Sequence, residues 1–274
     1  MLISQQLQTA KKALSGGEAS IDAQALMRHA LGDVSRAWLI VHEQDEMSAQ
    51  QQDDFATLLQ RRLAGEPISY ILGMREFYGL EFKVTPAVLI PRPDTETLVE
   101  TALGCIPPHR PCRVLDLGTG SGAIAIAIAH YRPQAEVLAV DTSSAALDIA
   151  KHNTQTLNTP NVRLLQSDWF SALQGEKFDV IVSNPPYIAA FDSHLTDLGF
   201  EPATALISGA DGLDDILRIV AQAPQYLNTN GWLLLEHGYD QASAVVSLLE
   251  DAGFTAVGSV ADLGGVVRVT LGRK

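Results

Sequence analysis

Val180-Ile-Val-Ser-Asn-Pro-Pro-Tyr187 is the stretch on which the reading of this chain turns. With Phe178 and Asp179 ahead of it, the segment begins as an apolar, β-branched strand over 178–183. Pro185 and Pro186 have no N–H to give a sheet ladder, so the strand stops there. The residue before each proline is pushed to extended angles, which makes 184–187 a stiff loop. Open α/β sheets carry their ligand chemistry at the carboxyl ends of central strands, where this loop falls. Asn184 brings a side-chain carbonyl and an amide, and Pro185 brings a backbone carbonyl. Tyr187 brings a flat apolar ring with a polar tip. That set suits a planar –NH2 group: two carbonyl oxygens accept its hydrogens and the ring packs on its plane. The competing reading is a strand that merely ends in prolines, and a motif upstream weighs against it.

Upstream stands Asp116-Leu-Gly-Thr-Gly-Ser-Gly122, after one strand and at the start of a helix. Gly118, Gly120 and Gly122, with Thr119 and Ser121 between them, let the backbone come close to a ligand. The helix start presents unpaired N–H groups that favour a carboxylate or phosphate. Gly118, Gly120 and Ala123 also fit the loose dinucleotide pattern, and Asp141 at the end of the next strand would accept from ribose hydroxyls in either case. The turn therefore points to a cofactor of adenosine type. Three features tip it toward S-adenosylmethionine. Asp116 can help hold a cationic amino group, Asp168-Trp169 offers a carboxylate and an aromatic cover for adenine, and the 184–187 loop has no evident use in hydride transfer.

The surrounding pattern is that of an α/β, doubly wound sheet. Strands are expected over 113–117, 136–140, 162–165, 178–183, 232–237, 255–260 and 266–271, and helices over 121–130, 143–156, 211–227 and 241–251. Residues 1–70 carry no strand signal and read as a small helical bundle, with Ala25, Leu26, His29 and Ala30 inward on its second helix and Ser48 capping its fourth. Residues 71–90 read as a hairpin linker turning at Gly79, and 91–274 as the catalytic domain. Asp94 or Thr95 is the expected N-cap of a helix running through Leu98, Val99, Ala102 and Leu103. Arg92 and Glu96 are placed loosely beside the cofactor pocket, and Glu236 and His237 are read as structural.

Bulk properties bound the function. The chain has 274 residues, 46% of them hydrophobic, and a net charge of −13. That charge argues against wrapping a long nucleic acid and against direct nucleic-acid binding in general. Cys105 and Cys112 make neither a disulfide framework nor a metal spacing, and the scattered histidines suggest no metal. No apolar stretch reaches the ~18 residues of a membrane span, and no long apolar signal core begins the chain. A soluble, cytoplasmic protein is the expectation.

Together, 116–122, Asp141, Asp168-Trp169 and 184–187 resemble class I S-adenosylmethionine-dependent methyltransferases that modify planar amino groups. The Asn-Pro-Pro-Tyr loop alone does not choose among glutamine N5, adenine N6 and cytosine N4. The helical amino-terminal part, Arg75-Glu-Phe-Tyr78, Ile90-Pro-Arg-Pro-Asp-Thr-Glu96 and Leu235-Glu-His-Gly238 extend the likeness over nearly the whole chain, to the peptide chain release factor N5-glutamine methyltransferases (the PrmC/HemK family). The resemblance implies a seven-stranded Rossmann-like sheet with an antiparallel last strand. It implies S-adenosylmethionine as cofactor, S-adenosylhomocysteine as product, and the Gly-Gly-Gln glutamine of class 1 release factors as substrate. On that reading Asn184, Pro185 and Tyr187 are catalytic, and Asn184 to Tyr187, Pro186 included, bind substrate. Asp116, Gly118 to Gly122, Asp141, Asp168, Trp169 and Asn184 bind cofactor. The rival is an adenine or cytosine amino-methyltransferase acting on nucleic acid.

Overall fold

In the computed structural model, which describes residues 1–14, 16–196 and 198–274, the apolar runs pair into one seven-stranded sheet and a separate hairpin. The chain divides into two compact units, Met1–Met74 and Arg75–Lys274.

The first unit is helical: α1 (Ile3–Ala13), α2 (Ala19–Ala30), α3 (Arg36–Val41), α4 (Ala49–Leu63) and α5 (Ile68–Leu72). Its core gathers Ile3, Ala10, Leu26, Met27, Leu39, Phe55 and Ile71. Ser48 caps α4 as its sequence position suggests. Its hydroxyl accepts from the Gln51 N–H at 3.2 Å, and the Gln51 side chain accepts from the Ser48 N–H at 2.9 Å, a reciprocal box. The buried face of α2 differs from the expected one. Leu26 is inward, but its companions are Ala19, Ala23 and Met27, while Ala25 and His29 lie at the flank. Both α1 and α4 pack on α2, so its covered face turns toward Met27. Asp22 is buried on that face and is matched by Arg62 Nε at 2.7 Å. No residue pattern announces α5, because five residues are too few to display a helical period.

The hairpin is β1 (Met74–Phe77) and β2 (Leu80–Lys83). Tyr78 and Gly79 both have positive φ, 52° and 78°, as a two-residue hairpin turn of matching twist requires.

The sheet of the second unit contains β3 (Cys112–Leu117), β4 (Ala135–Asp141), β5 (Val162–Gln166), β6 (Phe178–Ser183), β7 (Leu227–Glu236), β8 (Thr255–Ala261) and β9 (Val267–Arg273), in the order β5-β4-β3-β6-β7-β9-β8. The first five in that order are parallel, and β9 runs antiparallel to both its neighbours. The helices are α6 (Glu96–Cys105), α7 (Ala123–Tyr131), α8 (Ser144–Thr156), α9 (Asp214–Tyr226) and α10 (Ala242–Asp251). Successive residues of a strand face opposite sides. Val114, Val180, Val182 and Leu234 therefore pack with α6 and α7, while Leu115, Leu117, Ile181, Leu233 and Leu235 pack with α9 and α10. Among the described residues no helix is long and apolar enough to cross a membrane.

Several element bounds differ from expectation, two of them for clear physical reasons. The helix after the glycine turn starts at Ala123 rather than Ser121. Gly122 has φ 82°, and a Cβ there would stand 2.8 Å from Ile126 Cδ1, so the chain is still turning at that point. β7 begins at Leu227, five residues earlier than read, because Leu227 pairs with Phe178 and the polar 228–231 stretch is absorbed as a register shift. Lys83 N–H donates to Asn153 Oδ1 at 2.8 Å, and Asn153 Nδ2 donates to Ser121 O at 2.8 Å and Lys83 O at 3.1 Å, so one buried side chain ties β2, α8 and the glycine turn together. Asn153→Ala leaves those backbone groups without partners and is expected to destabilise the protein by about 1–3 kcal/mol. Urea unfolding followed by circular dichroism measures it, and a midpoint equal to wild type would remove Asn153 from that role.

Candidate active site

Strand alternation selects what faces the carboxyl edge of the sheet. Asp116 on β3 shares the parity of Val114. Asn184, one residue past β6, shares that of Val182, and Glu236 on β7 shares that of Leu234. All three lie on the face covered by α6, whose first residues follow a 3-10 turn at Pro93–Thr95.

A cavity of ≈ 390 Å³ opens beside them, lined by Gly118, Gly120, Asp141, Trp169 and Asn184, with Val88, Leu89, Pro202, Thr204 and Ala205. Asp168 and Pro186 also line it. The structure thus brings seven of the residues singled out from sequence to one wall. Asp116, Thr119, Ser121, Gly122, Pro185 and Tyr187 are not part of that wall; they brace it.

The glycine turn is held from below and from the side. The N–H groups of Gly118 and Thr119 both donate to Val140 O at 2.9 Å. Asp141 Oδ2 accepts from Gly120 N–H at 2.9 Å and Oδ1 from Ser143 N–H at 2.9 Å, which leaves each oxygen a second lone pair. Thr119 donates its hydroxyl to Asp116 Oδ2 at 2.6 Å. Asp116 is fully buried, and among the described residues its Oδ1 has no partner. Burial pushes this carboxyl up to about 7, against the pull of the Thr119 hydroxyl and the Ala125 backbone N–H.

Asp168 and Trp169 sit at the mouth. Both Asp168 oxygens face Arg218 Nη2, at 3.0 and 3.1 Å, and this pair is half exposed. Trp169 has φ 48° and donates its indole N–H to Asp215 Oδ1 at 3.1 Å. Its ring lies so close to Gly118 that a Cβ there would be 3.3 Å from Cζ3. The glycine at 118 is therefore needed for the aromatic wall as well as for its own φ of 72°.

On the loop itself, Asn184 Nδ2 donates to Thr95 Oγ1 at 3.2 Å. Thr95 stands at the N-cap position of α6 but makes no side-chain cap bond; its hydroxyl is turned to Asn184 instead. Tyr187 donates its hydroxyl to Glu236 Oε1 at 3.3 Å, and its carbonyl accepts from Gln241 Nε2 at 3.0 Å. The ring is thereby fastened into the fold at both ends. Glu201 accepts from Ile90 N–H at 3.1 Å and from Arg92, joining the segment after the loop to the opposite side of the cavity. Arg92 thus acts on the cavity wall through Glu201. Glu96 accepts from Tyr78 N–H at 3.0 Å, which places it on the hairpin.

Known proteins align with this architecture. Residues 95–204 match the methyltransferase small domain and residues 5–73 the PrmC N-terminal domain. The release factor glutamine methyltransferase of Xylella fastidiosa (strain 9a5c) is 52% identical over 255 residues, 92% of either chain. That of Escherichia coli (strain K12) is 47% identical over 254 residues, 92% of this chain and 91% of the other. The chain belongs to the release factor glutamine methyltransferase family. A methyltransferase from Pyrococcus furiosus, 20% identical, shares the fold with a TM-score of 0.56 over 80% of this chain and 98% of its own.

Within this family member, two buried groups read from the sequence as structural, Glu236 and His237, fare differently. Glu236 is almost wholly buried, and among the described residues its Oε2 has no hydrogen-bond partner. Burial pushes its carboxyl up to about 7, while the hydroxyls of Thr95 and Tyr187 and the charge of Arg268 pull it down and Asp94 pushes it up. Its neighbour His237 fits the structural reading: Nδ1 faces Gly238 O and Nε2 faces Thr270 Oγ1, each at 2.9 Å, and burial lowers its pKa. The signal for Glu236 was an acid at the end of an apolar strand, which by itself does not say what it will meet.

A carboxyl held near 7 in the fold and near 4 in the open chain binds its proton more tightly when folded. The stability it contributes is present at low pH and is lost as pH rises through about 7. The melting temperature of wild type should therefore fall relative to Asp116→Asn between pH 5 and pH 7.5. Thermal unfolding of both proteins across that range tests it, and a pH-independent difference would contradict the burial argument.

Proposed function

We propose that this chain transfers a methyl group from S-adenosylmethionine to the side-chain amide nitrogen of a release factor glutamine, that of the Gly-Gly-Gln motif. The observation that carries the proposal is the Asn184 amide on the cavity wall. Its nitrogen is engaged by Thr95, so its carbonyl oxygen is the end left to accept from a substrate. Family membership supplies the substrate class, since the relatives named above are release factor glutamine methyltransferases.

S-adenosylmethionine would supply an electrophilic methyl carried on a sulfonium. The residues present fit it. The unpartnered Asp116 Oδ1 is suited to an ammonium, the spare lone pairs of Asp141 to ribose hydroxyls, and the Trp169 ring to a flat base. Asp168 already shares its oxygens with Arg218, so its use for the adenine amino group would compete with that exposed ion pair, which is weakly held.

An amide nitrogen is a poor nucleophile because its lone pair is delocalised into the carbonyl. Asn184 Oδ1 and the Pro185 backbone oxygen accept its two hydrogens, aim the nitrogen at the methyl, and favour the pyramidal geometry of the transition state. Positive charge grows on nitrogen as the bond forms, and both oxygens stabilise it. Pro186 lines the approach and Tyr187 packs over the amide. The proton is lost after transfer, so no strong base is needed. The helical unit is assigned to recognition of the release factor, and the substrate places the reaction in the cytoplasm.

Labelled S-adenosylmethionine with a purified class 1 release factor tests the proposal, beside a variant whose Gly-Gly-Gln glutamine is alanine. Label on the wild-type factor only is the expected outcome. Label on neither, with cofactor binding confirmed, rejects the substrate and directs the assay to nucleic acid. Asn184→Ala is expected to lower kcat by about 10²-fold or more while cofactor binding survives.

A further inference from the structure

Glu236 has no assigned part in the chemistry, yet it is a buried acid hydrogen-bonded to the loop on which the proposed reaction rests. β6 and β7 are parallel with Ser183 opposite Leu235, so Asn184 and Glu236 stand side by side one step further on. Both face α6, and Thr95 at the start of α6 meets them.

The two ends of an asparagine amide are nearly the same size, so packing alone does not decide which end points to a ligand. A partner must decide it. Thr95 has one hydroxyl proton. Asn184 Nδ2 is 3.2 Å from its oxygen, and the Thr95 side chain is also hydrogen-bonded to the Glu236 carboxyl. Above pH 7 the Glu236 carboxyl is ionised, and a carboxylate only accepts. The hydroxyl therefore donates to Glu236, can only accept from Asn184, and so takes the NH2 end. Asn184 Oδ1 is then the end presented to the cavity. The same carboxylate accepts from the Tyr187 hydroxyl at 3.3 Å, at the far end of the loop.

We propose that Glu236 is a positioning residue that, through Thr95, sets the direction of the Asn184 amide and, through the Tyr187 hydroxyl, fixes the ring that follows it. The inference rests on the proposed amide methylation. It adds that the polarity of the acceptor pair is imposed by a side chain that touches neither substrate nor cofactor.

The test uses the full chain at pH 8 with saturating labelled S-adenosylmethionine and a release factor substrate. Thr95→Val keeps the shape and removes the hydroxyl. It is expected to lower kcat at least tenfold with the cofactor KM within twofold of wild type, and Thr95→Ser is expected to rescue most of the loss. Glu236→Gln should fall to a similar level. The double variant Thr95→Val/Glu236→Gln should be no worse than the weaker single, since both cut one relay. A kcat for Thr95→Val within twofold of wild type, or a double variant whose loss is the product of the two singles, would overturn the relay. If Glu236→Gln melts well below wild type, the Thr95 pair decides alone. A readout independent of turnover is the Asn184 side-chain amide in 15N-labelled protein. Its two proton shifts should change in both Thr95→Val and Glu236→Gln, and unchanged shifts in both would also overturn the proposal. Absence of methyl transfer by wild type, with those shifts behaving as expected, would instead reject the substrate and leave the positioning role standing.

Discussion

The second unit depends on β6 being unable to continue past Ser183. β6 lies between β3 and β7 in the middle of the sheet, so its last residues have no solvent to bond to. Two prolines remove the backbone donors that would carry the ladder on. Ser183 compensates by donating its hydroxyl to Leu117 O at 2.7 Å, which satisfies the end of β3 with a side chain. Freed from the ladder, the backbone after Ser183 is available to a ligand, and the alternation of β6 puts Asn184 on the same face as Asp116 and Glu236. One local constraint thus fixes where the loop leaves the sheet and what it is beside.

Most polar groups of the glycine turn and the loop are already bonded within the fold. Asp141 holds the Gly120 N–H of the turn and the N–H of Ser143, Gln241 holds the Tyr187 carbonyl, and Asn153 holds Ser121. Such a site is arranged before a ligand arrives, so less ordering remains to be done on binding. The exceptions are the two buried carboxyls, each with one oxygen lacking a partner among the described residues. An unsatisfied buried acceptor costs stability. Its persistence at two positions flanking one loop is a mark of a fold shaped for something other than its own stability.

Much of this was legible in the sequence because it is written in local signals. The β-branched run over 178–183, the prolines after it, and the glycines at 118, 120 and 122 carry their physics with them, and the strands and turn formed where those residues stand. What escaped belongs to three dimensions. Leu227 enters β7 because Phe178 is there to pair with it, although Asn228 to Gly231 read as a turn. Thr95 reads as a helix cap, yet its hydroxyl goes to Asn184, which is 89 residues away in sequence. Asp168 reads as a free carboxylate because nothing near it in sequence announces Arg218. Glu236 is one acid among many until the pairing of β6 with β7 brings it beside Asn184.

The strand order also governs how the chain can assemble as it is made. The helical unit is built from contacts close in sequence, the kind that form early and fast. The sheet is not. β3 waits for β6, some sixty residues on, to gain its central neighbour. β8 waits only for the next strand, since among the described residues it bonds β9, which is synthesised just after it. Until β9 slides between β7 and β8, two strand edges stay open to pairing with other chains. The site at the carboxyl edge can therefore be structured around β3, β4 and β6 while the far side of the sheet is still being closed by β9.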